Sequence, residues 1–190
     1  MTELRNQQIV GIGSTVNNGI DKATQSLNTI DYAHHEIHNG KHFYIEGHQT
    51  IGSSDQPGFQ VGLTTPSGST WAHFTWELNT NGIMDTKLYE DAQVSGGVAI
   101  TPLNNNRNST NTSMMAISGG ASGTGGLQIS DVYIGGEGFK SNVGGTSKRE
   151  DELILKSGTT YRRDFYSASA DNTVSFKASW YEHTDKVQQF

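Results

Sequence analysis

The chain has 190 residues, a formal net charge of -6 and no cysteine. Disulfide frameworks, cysteine zinc sites and cysteine nucleophiles are therefore excluded. The acidic balance argues against a nucleic-acid partner, which needs a basic face for phosphate. Only 33% of residues are hydrophobic, but 3 prolines, 17% charged and 9% aromatic residues fit a folded chain better than a disordered one.

No apolar run approaches the ~18 residues that a membrane-spanning helix needs, so no membrane partner is expected. The opening MTELRNQQIVGIG lacks the basic start and apolar centre of a secretory signal. Synthesis in the cytoplasm is the matching expectation, and a chain without cysteine suits that reducing compartment.

Residues 1–27 show neither a helical nor a strand period. Ile9, Val10, Ile12, Val16 and Ile20 are scattered among Gly, Asn and Gln. This segment reads as an extended N-terminal arm, either frayed or ordered against a partner by those five anchors. Residues 28–190 read as one domain of short strands.

Asn39-Gly40 separates HHEIH (34–38) from KHFYIEG (41–47). Asn-Gly supports the positive φ angles of a two-residue type I′ hairpin loop. In that hairpin His35 faces Tyr44 and His42 faces Ile37 on one side, while His34 and His38 lie on the other. HHEIH also invites a metal reading. The zinc-protease spacing is H-E-x-x-H on a helix, and here the second His comes one residue too soon. No more than about two local imidazoles share a face, fewer than the three or four ligands zinc takes. No metal is therefore expected. His34, His35, His38, His42 and Tyr44 are read instead as a subunit interface whose strength varies with pH, because imidazole titrates near neutrality.

Strict alternation marks three half-buried strands. They carry Phe59, Val61 and Leu63, then Ala72, Phe74, Trp76 and Leu78, and finally Val174, Phe176, Ala178 and Trp180. Weaker strands are expected over 86–91, 94–101, 112–117, 127–134, 152–156 and 159–168. In 127–134 the apolar phase switches from Leu127 and Ile129 to Val132 and Ile134, which calls for a bulge near Ser130 and Asp131. Pro57-Gly58, Ser67-Gly68 and Asn81-Gly82 mark turns. NNNRNSTN (104–111) and GGASGTGG (119–126) read as low-complexity loops. Short strands between turn signals predict an all-β, antiparallel β-sandwich or jelly roll.

Catalytic signatures are weak. GGASGTGG lacks the Lys-Ser/Thr ending of a phosphate loop, and Gly135-Gly136-Glu137-Gly138 fails the dinucleotide spacing. No G-x-S-x-G elbow occurs. Glu150, Asp151 and Glu152 beside Lys148 and Arg149 read as a solvated strand entry. No catalytic residue and no cofactor is assigned. Trp71, Tyr89, Tyr133, Tyr166 and Tyr181 fall on polar or ambiguous strand positions, where Tyr and Trp suit an interface or a sugar-stacking platform. Trp71 and Tyr181, with Asn105 and Arg107 of the Asn-rich loop, form a candidate ligand or partner surface.

Two long segments carry a resemblance. One is TIDYAHHEIHNGKHFYIEG (29–47) with TTPSGSTWAHFTWEL (64–78). The other is ELILKSGTTYRRDFYSASADNTVSFKASWYEH (152–183). With LNNNRNST (103–110), they resemble a group of small structural proteins of tailed-bacteriophage particles, β-sandwich or jelly-roll modules that decorate or cement the head. The resemblance covers roughly 28–185 and includes no catalytic fingerprint. It implies a non-enzymatic virion protein on the head exterior that bridges neighbouring major capsid subunits. Exposed strand edges of such a module need covering, which oligomerisation provides, so a homo-oligomer is expected, with a trimer matching capsid three-fold positions. The alternative expectation is a tail-associated or carbohydrate-binding module.

Overall fold

The computed structural model describes residues 9–11, 14–16, 32–54, 56–135, 143–146 and 152–184. The chain divides into two compact units, Met1–His35 and Glu36–Phe190. In the first unit Ile9–Gly11 (β1) pairs antiparallel with Ser14–Val16 (β2), Ile9 opposite Val16. The arm read as extended therefore contains a short ladder. Ile12 and Ile20 lie outside the described residues, as do Gly136, Glu137, Gly138, Lys148, Arg149, Glu150 and Asp151.

A two-turn helix, Tyr32–His38 (α1), follows. The strands after it are His42–Ile51 (β3), Phe59–Thr64 (β4), Thr70–Thr80 (β5) and Met84–Glu90 (β6). Next come Gln93–Ser95 (β7), Val98–Ile100 (β8), Leu103–Asn104 (β9) and Ala116–Gly119 (β10). The last are Ser122–Thr124 (β11), Leu127–Ile134 (β12), Val143–Thr146 (β13), Leu153–Leu155 (β14), Thr160–Ser167 (β15) and Asn172–Thr184 (β16).

Two antiparallel six-stranded sheets form the sandwich. Sheet one runs β12-β6-β15-β4-β10-β8. Sheet two runs β13-β5-β16-β3-β9, with β14 also pairing β5. The fold is thus the all-β sandwich that the alternation predicts. Ala72, Phe74, Trp76 and Leu78 of β5 and Val174, Phe176, Ala178 and Trp180 of β16 are all buried. They meet Val61, Leu63, Leu88 and Phe165 of sheet one in a single core. The rings of Phe74, Trp76, Phe165, Phe176 and Trp180 pack in stacked, tilted and edge-on pairs with centroids 5.1–6.4 Å apart. Each large apolar side chain fully buried contributes about 1.5–3 kcal/mol, so a few aromatics offset the low apolar content.

The Asn39-Gly40 hairpin is overturned. HHEIH is the body of α1, and Gly40 caps it with φ +67°. The Lys41 amide donates to the Glu36 carbonyl (2.9 Å) and the Gly40 amide to the Ile37 carbonyl (3.0 Å). This is the Schellman pattern of a helix C-terminus. The same positive φ serves an I′ turn and a helix cap, so Asn-Gly alone does not separate them. Tyr44 consequently pairs with Ser179 and His42 with Tyr181, not with residues 35 and 37.

NNNRNSTN is not a loose loop. The Asn104 side-chain amide donates to the Gly40 carbonyl (2.9 Å), as does that of Asn111 (3.1 Å), and that of Asn106 donates to the His38 carbonyl (3.2 Å). Amide side chains thereby take up carbonyls that a helix end leaves without intrahelical donors. A Cβ on Gly40 would also collide with the Ser109 side chain.

Three weaker strand expectations shift. The 94–101 strand is split at Gly96-Gly97, both at positive φ, into β7 and β8. A Cβ on Gly97 would lie 2.9 Å from the Gly119 carbonyl, so the chain leaves the β7–β11 ribbon there and enters sheet one. Within GGASGTGG, Ser122–Thr124 is a strand paired with β7, not loop. The 112–117 strand starts later, at Ala116, because Glu182 accepts from the Ser113 hydroxyl and the Met114 amide and holds that stretch off the sheet. The bulge in β12 is present, one residue earlier than read. Gln128 pairs with Tyr89 and Ser130 with Leu88, leaving Ile129 as the extra residue.

Candidate functional site: the outer face of sheet two

Strand alternation that buries one face of β5, β16 and β3 turns the other outward. Trp71, His73, Thr75 and Glu77 stand beside His183, Tyr181, Ser179 and Lys177 in register, and β3 adds His42, Tyr44 and Glu46. At one end, Glu152 and His73 meet side chain to side chain. His73 Nδ1 is 2.5 Å from Glu152 Oε1, and His73 Nε2 is 2.6 Å from His183 Nε2. At that nitrogen–nitrogen distance one proton must lie between the rings, so one imidazole donates and the other accepts. The Tyr181 hydroxyl donates to Glu152 Oε1 (3.0 Å), and its ring stacks on His73 at 4.4 Å and 15°. Trp71 meets His183 edge-on at 6.2 Å.

His42 continues the strip, its ring 6.3 Å from Tyr181 and its Nδ1 2.9 Å from the Asn105 amide nitrogen. Burial holds His42 below the ordinary imidazole value, and Lys177 pushes the same way. Toward the other end Lys177 lies between Glu46 and Glu77, its ammonium 5.5 Å from the Tyr44 ring centroid. A shallow cleft of about 350 Å³ opens there beside His48 and Asn79.

The fold joins residues that the sequence treats as two groups. Trp71, Tyr181 and Asn105, read as a ligand surface, connect to His42, read as an interface residue. Arg107 is exposed on the Asn-rich loop. His34, His35 and His38 are exposed on α1 and do not belong to the strip as strand residues. His73 and His183 are not singled out by the sequence, and Glu152, read there as part of a solvated strand entry, is instead largely covered and bonded to His73 and Tyr181. Parity held the signal, since 71 and 73 share a face, as do 181 and 183. Seeing it requires the β5–β16 register.

A second polar network lies on the outer face of sheet one. Asp164, 1% exposed, accepts from Gln60 (2.8 Å), from the Arg162 Nε (2.8 Å) and from the Tyr166 hydroxyl (3.2 Å). Gln60 accepts from the Gly123 amide of β11, and the Arg162 guanidinium lies 4.3 Å from the Tyr89 ring centroid. Arg163 faces the core and donates from Nε to the Thr86 hydroxyl (2.8 Å). Burial pulls its guanidinium down to about 10, still charged at neutral pH. Beyond Tyr166, Asp85, Lys87 and Tyr133 line a cleft of about 510 Å³. Burial and a hydrogen bond with Asp131 raise Asp85 above the ordinary carboxylate value.

Among the described residues no three His, Asp or Glu side chains are arranged to hold a metal, and no helix is long and apolar enough to cross a membrane. The fold defines an antiparallel β-sandwich. No protein-family model matches the chain, and no curated protein or solved structure is detectably similar to it.

Proposed function

We propose that the chain is a structural protein of a tailed-phage particle that decorates the head and bridges neighbouring capsid subunits, with the outer face of sheet two as a contact surface. One observation carries this reading. The segments that resemble head decoration proteins fold into adjoining strands. Residues 29–47 supply α1 and part of β3, 64–78 supply most of β5, 103–110 include β9, and 152–183 supply β14, β15 and nearly all of β16. Except for β15, these strands belong to sheet two and present one face. Its Tyr and Trp side chains combine flat apolar area with hydrogen-bonding edges, and these residue types are enriched in protein interfaces.

In this reading the arm adds a second contact through Ile9, Val10, Ile12, Val16 and Ile20. Binding only the assembled head shifts the assembly equilibrium toward it, and a trimer would place three such faces around a three-fold position. The sugar-binding alternative draws less support, because Tyr181 is buried and its ring is stacked on His73.

The test is co-sedimentation of the purified chain with mature heads of the encoding phage stripped of their decoration. Saturable binding to heads, without binding to free capsid subunits, is the expected result. Deleting residues 2–25 is expected to remove that binding while the strand signature and unfolding transition of Glu36–Phe190 persist. Full binding by the truncated chain would end the arm's role. No binding by the full chain would end the decoration reading.

A further inference from the structure

His73 and His183 are diagonal neighbours across β5 and β16, since His73 lies opposite Tyr181 and Trp71 lies opposite His183. Diagonal positions on one face are about 7–8 Å apart, a span that two long or aromatic side chains can close. Here they close it with their Nε2 atoms, 2.6 Å apart. The other nitrogen of each ring faces an acceptor. His73 Nδ1 lies 2.5 Å from the Glu152 carboxylate, and His183 Nδ1 lies 3.2 Å from the Thr184 carbonyl. Both acceptors call for an N–H at Nδ1, which leaves each Nε2 with its lone pair. Two lone pairs aimed at one another repel unless a cation lies between them. A shared proton meets that need, and a metal ion meets it with the same two atoms.

We infer that His73 Nε2 and His183 Nε2 form a two-imidazole chelate for a divalent transition-metal ion such as Zn²⁺, which takes the place of the shared proton. Imidazole nitrogen suits Zn, Cu and Ni. A metal-bound His ordinarily donates its other N–H to a carboxylate or a backbone carbonyl, which orients the ring and raises its basicity as a ligand. This pair has one of each. Tetrahedral zinc at 2.0–2.1 Å from each nitrogen sets the two nitrogens about 3.3 Å apart, so the rings must part by about 0.7 Å. His183 has room to turn, being half-buried at the penultimate position of β16. His73 is held in place by Glu152 and by the stacked Tyr181 ring. Among the described residues no third His, Asp or Glu is arranged to complete the set. Water therefore takes the remaining positions, and the expected dissociation constant is on the order of 10 μM, far weaker than a closed four-ligand site. The expected absence of metal rested on HHEIH, whereas this pair takes one imidazole from each of two strands. The inference goes beyond the decoration reading and stands whether or not the chain binds a phage head.

The test is a zinc titration of the full chain carrying His34→Gln, His35→Gln and His38→Gln, so that the exposed imidazoles of α1 do not compete. Calorimetry with zinc chloride is expected to show one ion per chain at the affinity given above. His73→Ala and His183→Ala should each weaken binding at least about tenfold, and Glu152→Gln about tenfold, since losing the partner of a ligating imidazole costs about 10–100-fold. Two-bond ¹H–¹⁵N spectra of the histidine rings give a second readout. On addition of zinc, the Nε2 resonances of His73 and His183 should both move while both Nδ1 atoms stay protonated. Because these spectra observe the two natural rings, they decide the matter even if an alanine variant fails to fold. Undiminished affinity in both alanine variants would place the ion elsewhere and overturn the site. A response at one ring only, or at Nδ1, would overturn the chelate. No response at about 1 mM zinc, roughly 100 times the expected dissociation constant, would leave a proton as the only bridge and overturn the proposal.

Discussion

On sheet one, Asp164 is 1% exposed and held by Gln60, Arg162 and Tyr166 beneath the β7–β11 ribbon. On sheet two, the Glu152–His73 pair keeps 17% and 13% of its side chains in contact with water. Asp164 and His73 are outward positions of alternating strands, and each network joins a carboxylate to a cation-forming group and a tyrosine. What separates them is cover. A ribbon closes over Asp164 and turns its network into part of the fold. Nothing among the described residues seals the His73 network to the same degree, so it keeps contact with water at the surface of sheet two.

Removing a carboxylate from each network tests that contrast. Asp164→Ala leaves the Arg162 guanidinium, 7% exposed, without its buried carboxylate, and breaking such a pair costs about 3–5 kcal/mol. Chemical denaturation should show that loss. A loss below about 1 kcal/mol would mean that water already reaches the network, and the contrast between the faces would disappear. Gly40→Ala should rank second, at about 1–3 kcal/mol, because it meets both the positive φ and the Ser109 hydroxyl. Glu152→Gln should cost about 1 kcal/mol or less, since its hydrogen bonds are neither lost entirely nor fully buried. It should nevertheless weaken head binding more than Asp164→Asn does at equal folded fraction. The reverse order would assign the contact to sheet one.

The smallest effect concerns pH. His42 binds a proton less readily folded than unfolded, because burial and Lys177 oppose its charge. Its contribution is therefore present above the ordinary value of 6.5 and lost as pH falls below it. Unfolding stability should decline as pH drops from about 7.5 to 5.5, and His42→Asn should flatten that slope. An unchanged slope would place the titration at another group.

The comparison also shows which features were legible beforehand. Phe74, Trp76, Phe176 and Trp180 could be assigned to the core from parity alone, because a strand has only two faces and the apolar one must be buried. The β12 bulge was legible for the same reason, as a break in parity between Ile129 and Val132. The Asp164 network was not. Asp164 sits at an outward parity position and looks like a solvated residue until β7 and β11, split from apparent strand and loop by Gly96-Gly97, are seen to cover it. The His73 strip was half legible. Trp71 and Tyr181 could be singled out by type, but their union with His73 and His183 depends on the β5–β16 register, between segments more than 100 residues apart in sequence, and the arrival of Glu152 depends on the pairing of β14 with β5.

Local periodicity thus determined the strands, their buried faces and the all-β class, because those depend on neighbours one or two residues away. Whether Asn39-Gly40 turns a hairpin or caps a helix was decided only in three dimensions. Its positive φ suits both, and the choice rests on Asn104, Asn106 and Asn111 arriving to take up the carbonyls of the helix end. Tertiary structure likewise decided which outward residues become framework and which become surface, since burial of a polar face depends on what packs over it.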